Sequence, residues 1–107
     1  VLVTLDLVGI GRGVSEAICN ELTMKHGLQR RQIALNCSHT HCGPVAGTTL
    51  RPMFFLDDVQ TGYVAEDTAE RPPRVAEVVG RARPHPQPAA LPWSAAMAAI
   101  TRSLRRR

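Results

Sequence analysis

Aromatic residues are scarce, with two Phe, one Trp and one Tyr in 107 residues. Any core must therefore be aliphatic. No apolar run reaches the roughly 18–20 residues a membrane-spanning helix needs. No charged stretch followed by an apolar one marks a secretory signal. The chain opens on Val1 inside an apolar run, as a piece of a longer protein would. Lysine is missing beyond residue 60, and the three cysteines (Cys19, Cys37, Cys42) are an odd number without a disulfide-framework spacing. Free thiols are expected.

What is present is a chain with 44% hydrophobic residues and a net charge of +4, which suits one small globular domain. The charge is unevenly spread. Residues 1–60 hold five Lys/Arg and five Asp/Glu, while residues 61–107 hold eight Arg and four acids, with six of the eight prolines. This places a composition break near Gln60.

The stretch "VLVTLDLVGI" is nearly all apolar and rich in β-branched residues, which predicts a strand buried on both faces. Gly9, Gly11 and Gly13 follow as a turn. A helix is expected from about Val14 to His26, because Val14, Ile18 and Leu22 recur at spacing four with Ala17 beside them. Glu16 in the first turn and Lys25 and His26 in the last suit the helix dipole. Gly27 is a fitting residue to end it, with Leu28 packing back on Leu22. "RRQIALNCS" reads as a second strand centred on Ile33 to Asn36. Strand, helix and strand make a βαβ unit with parallel strands.

"RPMFFLDDVQ" reads as a loop leading to a short helical or irregular piece. Phe54, Phe55 and Leu56 should pack against a sheet edge or a missing neighbour. From Thr61 on, "ERPPRVAEVVGRARPHPQPAALP" carries too many prolines for regular structure. "PWSAAMAAITRSLRRR" suits a short helix capped by Ser94.

The chemistry concentrates in "LNCSHTHCGP". In an extended segment, residues two apart point to one side, which would align His39 with His41, and Cys37 with both. Two imidazoles there can share a metal, or one can bind metal while the other handles substrate. A catalytic zinc wants three protein ligands and a water, so this stretch supplies only part of a set. The plain alternative is a pair of hydrogen-bonded histidines at a strand end. Cys37 and Cys42 are conceivable soft ligands but more simply free thiols, and His85 stands alone among prolines. Asp6, at the end of the first strand, suits an acceptor that orients a metal-ligating histidine from behind, or equally a turn cap. "GIGRG" falls short of a dinucleotide loop, because Val14 stands where the third glycine belongs. The arginine-rich tail lacks interleaved aromatics and any recognition module, so no nucleic-acid partner is expected.

The succession of "VLVTLDLVGI", a helix and "IALNCSHTHCGP" resembles the start of the catalytic domain of the neutral/alkaline non-lysosomal ceramidases, over roughly residues 1–60. The most specific part is "SHTHCGP", similar to that family's Ser/Gly-x-His-Thr-His-Ser-Gly-Pro signature, with Cys42 where serine is expected. The resemblance implies hydrolysis of the amide of a ceramide-like lipid to sphingosine and a fatty acid, with zinc as cofactor. It implies that His39 is a zinc ligand and that His41 lines the site near the scissile group. The family's other ligands lie beyond the matching residues, and Tyr63, Glu66 and His85 match none of them.

The expected architecture is α/β: a βαβ unit with parallel strands, part of a larger α/β catalytic domain, followed by an irregular Pro/Arg-rich tail with a short helix. Residues 1–60 form the ceramidase-like segment and 61–107 an unmatched tail, disordered or read from a shifted frame. Such a chain is expected to be incomplete for catalysis. A different class of reading is a non-enzymatic small α/β domain whose basic tail binds an acidic partner.

Overall fold

The structure, a computed structural model, describes residues 1–84. The expected short helix beginning at Ser94, and His85, lie outside the described residues. Four main elements follow in order: β1 (Leu2–Leu5), α1 (Arg12–His26), β2 (Ala34–Cys37) and α2 (Asp58–Ala82). β1 and β2 pair in parallel, Leu2 beside Ala34 through Leu5 beside Cys37. The backbone bonds from Ala34 N to Val1 O (2.9 Å) and from Ser38 N to Leu5 O (3.1 Å) extend the ladder at both ends. The expected parallel βαβ unit is present.

β1 is shorter than its apolar run because the chain bends sharply after Leu5, where Leu7 N donates to Leu5 O. Leu7 and Val8 still bury, as the bend turns them into the interior. The expectation that the strand is covered on both faces is not met. Val3, Leu5 and Leu35 pack on the core, whereas Leu2 is 71% exposed and Thr4, Ala34 and Asn36 face outward beside it. Both helices contribute to the layer under the inner face, and none of the described residues covers the outer one.

α1 begins at Arg12, two residues before the expected start, so Glu16 falls outside the first turn and no acid stands there. Val14, Ile18 and Leu22 bury as their spacing requires, joined by Cys19; Ala17 lies off the stripe and is exposed. Gly27 ends the helix in the left-handed conformation (φ 64°), its N–H donating to Thr23 O at 2.9 Å. Leu28 packs into the same cluster as Leu22.

α2 overturns the expectation of irregular structure after Thr61, as far as Ala82. Asp57 caps it: Gln60 N donates to Asp57 Oδ1 (2.7 Å) and Asp57 N donates to Gln60 Oε1 (3.1 Å), a capping box. Pro72 and Pro73 stand inside the helix. Each lacks the N–H that would bond the carbonyl four residues back, at a cost of about 3 kcal/mol or more in a helix interior. Burial offsets that cost. Pro72, Val75, Ala76 and Val79 form a buried stripe at spacings of three and four, and Val75, Ala76 and Val79 pack with α1's apolar face in one cluster. Ion pairs four residues apart, Asp67–Arg71, Glu70–Arg74 and Glu77–Arg81, line the remaining surface. The composition break at Gln60 therefore falls within the first turn of a helix that shares its core with the βαβ unit.

The two helices are also clamped by polar contacts. His26 Nε2–H donates to Ala76 O at 2.7 Å, and Arg83 Nη1 donates to His26 O at 3.0 Å. Before α2, Phe54 and Leu56 are half-buried, but Phe55 is 99% exposed and packs against no sheet edge among the described residues.

Candidate functional site

The parallel ladder sets the site's position. Both strands end at the same edge, with Asp6 following β1 and Ser38 to Gly43 following β2. In open α/β sheets this carboxyl edge is where ligands bind.

The two histidines meet by a different route from the one their spacing suggests. β2 ends at Cys37, before either of them. His39 has φ 58°, in the left-handed region, so the period-two alternation breaks and no longer aligns Cys37 with the histidines. The turn nonetheless brings the rings of His39 and His41 together, perpendicular and 5.2 Å apart between centroids. A non-glycine residue in that conformation costs on the order of 1 kcal/mol, and histidine is among the residues that tolerate it best.

One hydrogen bond holds His39 there. Its Nδ1 lies 2.6 Å from Val8 O. A carbonyl only accepts, so Nδ1 carries the proton and Nε2 carries the lone pair. Metal-ligating histidines are oriented in this way, by a carbonyl or carboxylate on the other ring nitrogen. Asp6, the expected orienting group, does not fill that role: the acceptor is the backbone of Val8, two residues further on. The sequence carries no signal for a backbone acceptor, because any residue at position 8 supplies the same carbonyl.

His39, His41 and Cys42 are exposed, and Cys37 is half-buried. All three cysteines are free thiols, as expected. Among the described residues no three His, Cys, Asp or Glu side chains come together as a metal-holding group. The zinc that the resemblance implies therefore finds one well-oriented donor in His39 and a neighbour in His41, short of the three protein ligands a catalytic site uses. The donor set fits zinc in kind and falls short in number.

A groove of about 470 Å³ is lined by Val1 to Thr4 with Val78, Val79, Ala82 and Arg83. It follows the opposite end of β1 from Asp6, and neither histidine lines it. The glycines of the turn between β1 and α1 lie close against Thr49. A Cβ on Gly9 would lie 2.7 Å from Thr49 Cγ2, and one on Gly11 2.8 Å from Thr49 Oγ1. Thr49 thus packs closely on Gly9 and Gly11, and a small cavity of about 240 Å³ lies beside the turn, lined by Gly11 to Val14 with Gly47, Thr48 and Thr68.

No helix among the described residues is long and apolar enough to cross a membrane. Comparison of the chain with protein-family models, with curated proteins and with solved structures finds no significant match.

Proposed function

We propose that this chain carries the amino-terminal part of a zinc amidohydrolase site of the neutral ceramidase kind, within a larger α/β catalytic domain. The bond it would help to cut is the N-acyl amide of a ceramide-like lipid. The observation that carries the reading is the bond from His39 Nδ1 to Val8 O, which leaves Nε2 free as a donor at the carboxyl edge of the sheet. The "SHTHCGP" resemblance supplies the chemistry. His39 is the ligand, and His41, 5.2 Å away between ring centroids, stands beside the scissile group. Bound zinc would polarise the amide carbonyl or activate water. The described residues do not complete its coordination, so the remaining ligands would lie outside them.

Zinc content of the purified chain tests the reading. One equivalent, lost in His39→Ala and weakened in His41→Ala, supports it. Zinc bound equally by the parent chain and His39→Ala would leave His39 as a hydrogen-bonded loop histidine and sink the metal reading.

A further inference from the structure

We propose that Gly43 is a positioning residue for His39. Its lack of a side chain lets the histidine loop close on the end of β1, and that closure holds His39 in the tautomer presenting Nε2. The proposal rests on the reading of His39 as a metal donor.

Three contacts knit residues 38–43 to residues 5–8. Ser38 N donates to Leu5 O at 3.1 Å. His39 Nδ1–H donates to Val8 O at 2.6 Å. Gly43 then lies so near Asp6 that a Cβ on it would be 2.5 Å from Asp6 O and 3.0 Å from Thr40 Cγ2. A carbon needs about 3.3–3.6 Å from a carbonyl oxygen. The obstructing oxygen is backbone, so no rotamer change relieves the clash.

Gly43 is not among the glycines with positive φ. Contact, not backbone conformation, is what bars a side chain. A methyl there would force the two segments apart by about 1 Å. The His39–Val8 bond, stretched by that much from 2.6 Å, passes the length at which a hydrogen bond still counts as one. Once released, the ring samples both tautomers, and a proton on Nε2 blocks the donor atom.

Gly13 supplies a matched control. It sits in the first turn of α1, and a methyl placed there would meet nothing within 4 Å. The experiment compares ¹⁵N-labelled parent chain, Gly13→Ala and Gly43→Ala by long-range ¹H–¹⁵N correlation of the imidazoles. It is run without metal, at a pH where histidine is neutral, with zinc titration and thermal melting in parallel. Each chain also carries Gly62→Ala on the open face of α2, where a methyl meets nothing, to add helix stability.

Parent and Gly13→Ala should show His39 protonated on Nδ1. Gly43→Ala should show a mixed or Nε2–H ring, and zinc binding weaker by about tenfold or more, while the backbone fingerprint elsewhere is kept. An Nε2–H ring in the parent, or an unchanged Nδ1–H ring in Gly43→Ala, overturns the proposal. So does a Gly43→Ala chain that does not fold, since Gly43 would then serve folding at large. If the tautomers behave as stated but the parent binds no zinc, the metal reading fails and the positioning by Gly43 stands.

Discussion

Replacing Gly80 with alanine sets two opposing effects against each other, and the structure says how they combine. Glycine within a helix is about 0.8–1 kcal/mol less favourable than alanine. At an open site the substitution should therefore stabilise. Gly62, in α2 with nothing within 4 Å of a Cβ, is such a site. At Gly80 a Cβ would lie 2.9 Å from His26 Cε1 and 3.4 Å from Nε2. The imidazole must swing aside and release Ala76 O, which it holds at 2.7 Å. That loss costs about 0.5–1.5 kcal/mol, with a further cost for repacking the half-buried ring. The gain in propensity is thus cancelled or reversed.

Gly62→Ala should raise the melting temperature by several degrees, since about 1 kcal/mol corresponds to roughly 4–8 °C in a domain of this size. Gly80→Ala should leave it unchanged or lower it. In a His26→Ala background the obstruction is gone, and Gly80→Ala should recover the full helix gain. The double-mutant cycle should then report a coupling of about 1–2 kcal/mol between positions 26 and 80. Urea unfolding followed by circular dichroism measures all of these. Equal gains at Gly62 and Gly80, with the same increment in both backgrounds, would refute the clamp between α1 and α2.

Pro73 is exposed within α2 whereas Pro72 is buried; Pro73→Ala restores a backbone donor without emptying the core and should stabilise the chain by about 1–3 kcal/mol, a gain that urea denaturation would reveal and whose absence would mean Pro73 breaks no helical bond. Maleimide should label the exposed Cys42 within the native protein and reach the buried Cys19 only after denaturation, with mass spectrometry of the peptides reading the order.

The βαβ unit is legible in the sequence because each of its signals is local. Spacing four in Val14, Ile18 and Leu22, and a glycine at position 27, determine a helix and its end from short-range sterics. α2 is obscured because Pro72 and Pro73 carry the strongest local signal against a helix, and what overrides them is burial against α1, a long-range effect. A countersignal is present: acids stand four residues before arginines at 67/71, 70/74 and 77/81, a pattern that belongs to helices. At the site, the pairing of His39 with His41 can be expected, but not its geometry. The left-handed turn at His39 and the carbonyl of Val8 depend on how two loops meet, and the identities of the residues there do not encode it. Asp6 looks like the natural acceptor because a side-chain carboxylate shows in a sequence and a backbone oxygen does not.

The parallel register has a kinetic consequence. Every rung joins residues the same distance apart in the chain, from Leu2 with Ala34 to Leu5 with Cys37. No rung closes a shorter loop than another, so this ladder cannot zip outward from a tight turn as a hairpin does. The histidine loop lies beyond the final rung and takes its shape from contacts to the end of β1. Loss of the last rung, Leu5 with Cys37, would free the segment that holds His39 against Val8 O, so the shape of this loop depends on the end of the ladder.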